Sequence, residues 1–140
     1  MNTKKNASGA EVIAESLHGY GVSHVFYIEA MLRIASLEME KLGIRRIITH
    51  SEKAAAYMAD GYARVSGRPG VCMAQSVGAA NLAAGLQDAR LGCSPVIAIT
   101  GMKDPFFQNK NAYQELDHRS MYAAVTKMQA EIASVDQISH

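Results

Sequence analysis

Glu52 is the residue in this sequence best placed to do acid–base chemistry. It follows a short segment that reads as a strand, Ile44 to Thr49 (IRRIIT), and opens the alanine-rich stretch 52–66 (EKAAAYMADGYARVS). A carboxylate at such a junction can hold or release a proton beside a ligand, because open parallel sheets bind ligands outside the carboxyl ends of their strands. Residues in equivalent places are Ile28-Glu29-Ala30, Ser76-Val77-Gly78-Ala79-Ala80-Asn81 and Gly101-Met102-Lys103. The small-residue turn Val77-Gly78-Ala79 lets a flat ligand come close to the backbone. Each candidate has a plainer structural alternative. Glu52 and Glu29 could simply complement the positive ends of their helices, Gly78 could be an ordinary turn glycine, and Asn81 a helix-start amide. His50 is as readily a hydrogen-bonded residue at a strand end as a catalytic one. His18, His24 and His118 carry no motif and are read as surface residues, and the methionines as core filler. Cys72 and Cys93 form neither CxxC nor a zinc spacing and are read as inert thiols, and no metal ligands are expected. Neither GxGxxG nor GxxxxGK[ST] occurs, so nucleotide-phosphate fingerprints are absent.

The elements that must position these residues follow a regular alternation. Ser8 and Glu11 form an S-x-x-E capping box, after which Ala10, Ile13, Ala14, Leu17 and Tyr20 recur at helical spacing, with Gly19 and Gly21 as the stop. Val25 to Ile28 reads as a buried strand, 30–42 as an amphipathic helix and Ile44 to Thr49 as a second strand. Residues 52–66 read as a helix ending at the turn cluster Gly67-Arg68-Pro69-Gly70. Val71 to Gln75 is a strand, 79–91 a small-residue helix and Pro95 to Thr100 a fourth strand. Four strands alternating with helices imply an α/β fold of three layers, a parallel sheet with helices on both faces. Beyond Gly101, residues 102–116 lack periodicity and read as an ordered functional loop. A short helix is expected over 117–124 and a short strand over Ala124-Val125-Thr126-Lys127. Ser134 and Gln137 make a second capping-box pattern less than two turns before His140, from which a single domain lacking its C-terminal portion is expected.

Bulk properties narrow the function classes without naming one. At 140 residues, 49% of them hydrophobic, the chain is long enough for one domain with a core and too apolar for disorder. A net charge of +1, from 14 basic and 13 acidic side chains, offers no electrostatic footprint for nucleic acid or an anionic membrane. No run of about 18 apolar residues suits a membrane span, and Met1 to Ala7 reads as a frayed terminus, not a signal peptide. Two cysteines do not make a disulfide framework, so a reducing cytoplasm is the expected setting.

The stretch His50-Ser51-Glu52-Lys53-Ala54-Ala55-Ala56-Tyr57-Met58-Ala59-Asp60-Gly61-Tyr62-Ala63-Arg64 resembles the H-E-x-x-A-x-x-M-A-x-G-Y-A-R block of thiamine-diphosphate-dependent enzymes, with one residue between histidine and acid. Gly67-Arg68-Pro69-Gly70-Val71 is similar to that family's G-x-P-G-V. Ser76 to Leu82, Asp88-Ala89, and Pro95 to Gly101 fall in register with its next blocks. Tyr113-Gln114-Glu115, Asp117-His118 and Thr126-Lys127 resemble its F-Q-E…D…T-K segment. The match covers roughly residues 10–130 and points to the aminopyrimidine-binding (PYR) domain of the acetolactate-synthase-like group, with its flavodoxin-like fold.

That resemblance reverses the reading of Glu52 from helix-dipole partner to catalytic residue. It implies a hydrogen bond to N1′ of the cofactor's aminopyrimidine, favouring the tautomer whose 4′-nitrogen takes the thiazolium C2 proton. Burial that raises the carboxyl pKa would serve this role, and Ala54, Ala55 and Ala56 are expected to supply an apolar floor. Ile28, Glu29, Ser76, Val77, Gly78 and Asn81 are implied to line the cofactor pocket. Gln114 and Glu29 would face the substrate, a small 2-oxo acid or relative; the alternatives are a solvated loop amide and a solvent-facing helix acid. Mg²⁺ and the diphosphate are held in this family by a G-D-G…N-N domain from another subunit, and no such motif occurs in this sequence. A dimer or tetramer is therefore implied, with helix 79–91 offering small side chains for close contact, either between subunits or within the domain. Three departures set the chain apart from acetolactate synthase itself: Tyr27-Ile28-Glu29-Ala30-Met31 replaces a Gly/Pro run, Ser76-Val77 replaces Gly-Pro, and Asn109-Lys110-Asn111 occupies a substrate-variable loop. The expected function is half of an active site for decarboxylation or carboligation; a non-catalytic PYR-like assembly module is the alternative.

Overall fold

The computed structural model describes residues 7–29 and 32–138. Its elements run α1 (Gly9–Gly19), β1 (His24–Tyr27), α2 (Arg33–Lys41), β2 (Arg45–Ile48), α3 (Glu52–Ser66), β3 (Gly70–Gln75), α4 (Gly78–Leu91), β4 (Val96–Gly101) and α5 (His118–Tyr122), with 3-10 turns at Pro105–Phe107 and Val135–Gln137. The first capping box forms as the spacing predicts. Ser8 Oγ accepts the Glu11 N–H at 3.3 Å, and the Ser8 N–H donates to Glu11 Oε2 at 2.8 Å. Helix α3 is started by Ser51, whose hydroxyl accepts the Ala54 N–H at 3.2 Å, and stopped by Gly67 in the left-handed region.

The four strands form one parallel sheet in the order β2-β1-β3-β4. Successive side chains of a strand face opposite ways, and here both faces are covered. Val25, Tyr27, Val71 and Met73 pack with Ala14, Ala35 and Met39 of α1 and α2. Phe26, Cys72 and Ala74 pack with Ala55, Ala59, Leu82, Leu86 and Tyr122 of α3, α4 and α5. The three-layer α/β architecture expected from the alternation is the one observed.

Two details differ from expectation. No strand forms at Ala124–Lys127. The N–H groups of Val125 and Thr126 both bond the Tyr122 carbonyl, at 3.1 and 3.0 Å, and the Thr126 hydroxyl bonds it too, at 2.8 Å. Donors spent on a local turn cannot join a ladder. The second capping-box pattern also fails to close: Ser134 makes no side-chain cap, and Gln137 Oε1 accepts instead from the Ala133 N–H at 2.8 Å. The helix predicted over 30–42 is described from Arg33, residues 30 and 31 lying outside the described residues, as do residues 1–6 of the expected frayed terminus.

Helix α4 approaches α3 through its small residues. A Cβ added to Gly85 would lie 2.7 Å from Ala56 Cβ and 2.8 Å from the Lys53 carbonyl oxygen, so that contact is within the domain. The same pair of helices is tied by Arg64. Its Nε donates to both carboxylate oxygens of buried Asp60, at 2.9 and 3.0 Å, and a terminal nitrogen donates to the Asp88 carbonyl at 3.3 Å. The Arg64 hydrogen bond holds the Asp60 carboxyl below the usual carboxylate range.

Both thiols are free, Cys72 wholly buried in β3 and Cys93 exposed after α4. Burial pushes the Cys72 thiol up to about 12, and a thiol kept protonated is a poor nucleophile. A thiol titration at pH 8 is therefore expected to modify one cysteine in the folded chain and two in denaturant. Modification of both without unfolding would contradict the packing around β3.

Candidate functional site

The candidate residues gather at the carboxyl ends of the strands. Thr49, buried just past β2, donates through its hydroxyl to the Ser51 carbonyl at 2.8 Å, and its N–H bonds the Tyr27 carbonyl at 2.9 Å. These bonds fix the short path from β2 into α3 and so place Glu52 at the first position of the helix. From the neighbouring strand, β3 passes through Ser76 and Val77 into α4, whose first residue is Gly78.

The two helix starts meet. Asn81 Nδ2 donates to Glu52 Oε2 at 3.2 Å. A Cβ added to Gly78 would stand 2.5 Å from Glu52 Oε1 and 3.1 Å from its Cδ. Gly78 has an ordinary φ, so what favours glycine here is space: a side chain would crowd the Glu52 carboxylate and push it aside. Glu52 itself is half-buried. Ala55 and Ala56, expected as its apolar floor, are wholly buried in the core shared by α3 and α4, while Ala54 is half-buried. The surface on which the carboxylate rests is the bare backbone of Gly78.

Ser76 adopts φ +46°, a left-handed conformation unusual for a residue with a side chain and costing about 1–2 kcal/mol. It is 2% exposed, and its hydroxyl oxygen is buried without a hydrogen-bond partner. Its N–H bonds the Gly101 carbonyl at 2.8 Å, and its carbonyl accepts the Ala79 N–H at 3.1 Å. Val77 is exposed.

Of the other candidates, Ile28 is half-buried and Glu29 exposed just beyond β1, at the same end of the sheet as Glu52. Gln114 is half-buried with φ +62° in the loop after β4. His50 is exposed. The loop is organised by Glu115, whose carboxylate accepts the Ala112 N–H at 2.9 Å and also the Asn109 N–H. These backbone donors, Ala112 first, lower its carboxyl below the usual range. Among the described residues no group of three or more His, Cys, Asp and Glu is placed to hold a metal ion, and no helix is long and apolar enough to cross a membrane.

One expectation is overturned outright. His118 is not a surface residue but is buried at the start of α5. Its Nε2 lies 3.0 Å from the Ser76 carbonyl oxygen and its Nδ1 3.1 Å from Thr100 Oγ1. The signal was present in the spacing: His118, Met121, Tyr122 and Val125 follow the i, i+3, i+4, i+7 rule of an inward helical face. Met121 and Val125 are partly buried against the core, and Tyr122 is fully within it.

A carboxylate held by an amide over bare glycine backbone is a setting for a flat, nitrogen-bearing ring, and comparison with known proteins bears on which one. Residues 7–121 match the model of the family described as "Thiamine pyrophosphate enzyme, N-terminal TPP binding domain". The chain belongs to this family. Relatives agree on the group within it. "Acetolactate synthase 3, chloroplastic" from Brassica napus is 35% identical over 133 residues, 93% of this chain and 20% of that protein. The "Probable acetolactate synthase large subunit" of Methanocaldococcus jannaschii is 37% identical over 133 residues, 93% and 22% respectively. "Acetolactate synthase isozyme 2 large subunit" from Escherichia coli is 35% identical over 133 residues, 94% and 24%. The TPP-binding domain thus spans about a fifth to a quarter of the length of these relatives. It is a PYR domain of the acetolactate-synthase-like kind.

The site of this TPP-binding domain fits the aminopyrimidine end of thiamine diphosphate. Gly78→Ala is accordingly expected to leave the fold intact, because the obstructed atoms are the far end of a flexible side chain, while displacing Glu52. Thiamine diphosphate affinity should fall about tenfold or more, the equivalent of at least one lost hydrogen bond to a charged group. Unchanged affinity in a calorimetric titration would show that Glu52 and Gly78 do not form a joint binding surface.

Proposed function

We propose that this chain is the aminopyrimidine-binding half of a thiamine-diphosphate active site that cleaves or forms C–C bonds next to a carbonyl. The reactions in view are 2-oxo acid decarboxylation and carboligation. The observation that carries this reading is the Glu52 carboxylate seated on Gly78 and bonded by Asn81 at the carboxyl edge of a parallel sheet. The relatives named as acetolactate synthases support the reaction class.

Bound thiamine diphosphate supplies a carbanion equivalent at its thiazolium C2, chemistry that no side chain provides. The protein's part is positioning and proton handling. Glu52 holds or shares a proton at its carboxylate with a ring nitrogen. Asn81 orients that carboxylate through Oε2, and the Gly78 backbone lets the ring lie close. Ile28, Glu29, Ser76 and Val77 complete the pocket wall, and Gln114 and Glu29 face a small 2-oxo acid or related substrate. Glu29 is a second acid–base or selecting group in this scheme. Mg²⁺ and the diphosphate belong to a diphosphate-binding domain of another subunit, making the working form a homo-oligomer, a dimer or tetramer. Free Cys72 and Cys93 suit a reducing, cytoplasmic setting.

The test is to assemble the chain with its diphosphate-binding partner, thiamine diphosphate and Mg²⁺ and to follow exchange of the C2 proton into D₂O. Exchange well above that of the free cofactor supports the reading. Exchange at the free-cofactor rate would overturn it and leave an assembly role in its place. Within the same assembly, Glu29→Gln is expected to alter substrate preference or turnover; unchanged kinetics would remove Glu29 from the site.

A further inference from the structure

We propose that His118 is a positioning residue that holds the β3–α4 turn, and with it Gly78, in the conformation on which the Glu52 carboxylate rests. The inference builds on the reading of Glu52, Gly78 and Asn81 as the aminopyrimidine site.

A carbonyl oxygen only accepts, so the 3.0 Å contact between His118 Nε2 and the Ser76 carbonyl requires the ring proton on Nε2. Nδ1 is then a lone pair, and the Thr100 hydroxyl, 3.1 Å away, donates to it. The Ser76 carbonyl, which can only accept, therefore selects the Nε2–H form, and the Thr100 hydroxyl, able to donate or accept, adapts to it. The ring is buried, at 5% exposure, so these bonds face little competition from water.

What His118 holds is a strained link. Ser76 sits at φ +46° with its own hydroxyl buried and unpartnered, so the serine side chain does nothing to stabilise the conformation it occupies. Val77, at the start of α4, provides no side-chain cap. The turn is held from outside instead, and α5 supplies both hands. His118 donates to the Ser76 carbonyl, and four residues later the Tyr122 hydroxyl donates to the Ala79 carbonyl at 2.8 Å. These two carbonyls flank Val77 and Gly78. A shift of the Ser76 peptide would move Gly78, which stands in direct contact with the Glu52 carboxylate. His118 thus acts through the backbone, without touching the ligand.

The experiment compares wild type, His118→Leu and His118→Gln in isotopically labelled chain. Glutamine can place its amide N–H near the position of Nε2; leucine cannot. In His118→Leu the backbone ¹³C shifts of Ser76 should lose their positive-φ signature, and thiamine diphosphate affinity in the assembled protein should fall roughly tenfold, as for a lost hydrogen bond. His118→Gln should restore both, which a merely space-filling role would not predict. Wild-type values of Ser76 shifts and affinity in His118→Leu would overturn the inference. Should His118→Leu fail to fold, the wild-type ring decides: a long-range ¹H–¹⁵N spectrum must show a proton on Nε2, and a ring protonated on Nδ1 alone overturns the proposal. Failure of the underlying cofactor reading is separately visible. There, wild type itself takes up no thiamine diphosphate although the Nε2 tautomer and the Ser76 signature are present, and the assignment of what is being positioned falls with it.

Discussion

Replacement of Glu52 by glutamine is expected to slow C2 proton exchange of bound thiamine diphosphate by about 10²–10⁴-fold, the usual contribution of a positioned proton-transfer group, while leaving the fold in place. The two halves of that expectation rest on different atoms. The start of α3 is secured by Ser51, whose hydroxyl takes the Ala54 N–H, and not by Glu52. A glutamine there loses only the favourable interaction of a negative charge with a helix N-terminus, about 0.3–1 kcal/mol. Its side-chain oxygen can still accept from Asn81 in place of Glu52 Oε2. What the amide cannot do is exchange a proton with a ring nitrogen. Near-native melting temperature with a collapsed exchange rate is thus the signature of a catalytic carboxylate. Equal exchange rates in the two proteins would return Glu52 to the status of a helix-start acid, and a large loss of stability would mean the carboxylate is structural.

Glu52 was legible because its position follows from the boundary between two segments: a short isoleucine-rich stretch, Ile44 to Thr49, that reads as a strand, then small residues at helical spacing. The same logic placed all four strands and the first four helices to within a few residues. It could not show that Gly78, three residues past the end of β3, lies against a carboxylate that opens the helix after another strand, because no local pattern encodes the distance between two helix starts. Sequence also expected alanines beneath the acid, whereas Ala55 and Ala56 turn into the core. His118 was misread for a related reason. Its value lies in a carbonyl 42 positions away and a hydroxyl 18 positions away, and the helical spacing that marks His118 as inward-facing names neither partner. The strand predicted at 124–127 failed where β propensity met an aperiodic neighbourhood: with the Tyr122 carbonyl in reach, the backbone closed a turn before any ladder could claim it.

Gly70→Ala is expected to be strongly destabilising, since among the described glycines its added Cβ meets the tightest backbone obstacle. Gly70 opens β3 directly beneath α3, and an added Cβ would overlap the carbonyl oxygen of Ala59 and stand 2.7 Å from its carbonyl carbon. No rotamer relieves that overlap, because both partners are backbone. Strand and helix must separate, and each is anchored: the Gly70 N–H bonds the Pro95 carbonyl at 2.9 Å, while α3 buries Ala55, Ala56, Ala59 and Ala63 in the adjoining core. Overpacking of a core typically costs about 1–3 kcal/mol, and a backbone obstacle puts this site at about 3 kcal/mol. For a domain of this size that corresponds to a fall in melting temperature on the order of 10 °C. Gly61→Ala is the matched control, since Gly61 lies within the same helix with nothing near its added Cβ. There alanine should stabilise by about 0.5–1 kcal/mol through helix propensity alone. The opposite signs of one chemical change, nine residues apart, separate crowding from backbone entropy. If Gly70→Ala melted with the wild type, α3 could not lie where the Ala59 carbonyl places it, and the helix that carries Glu52 would have to be set differently on the sheet.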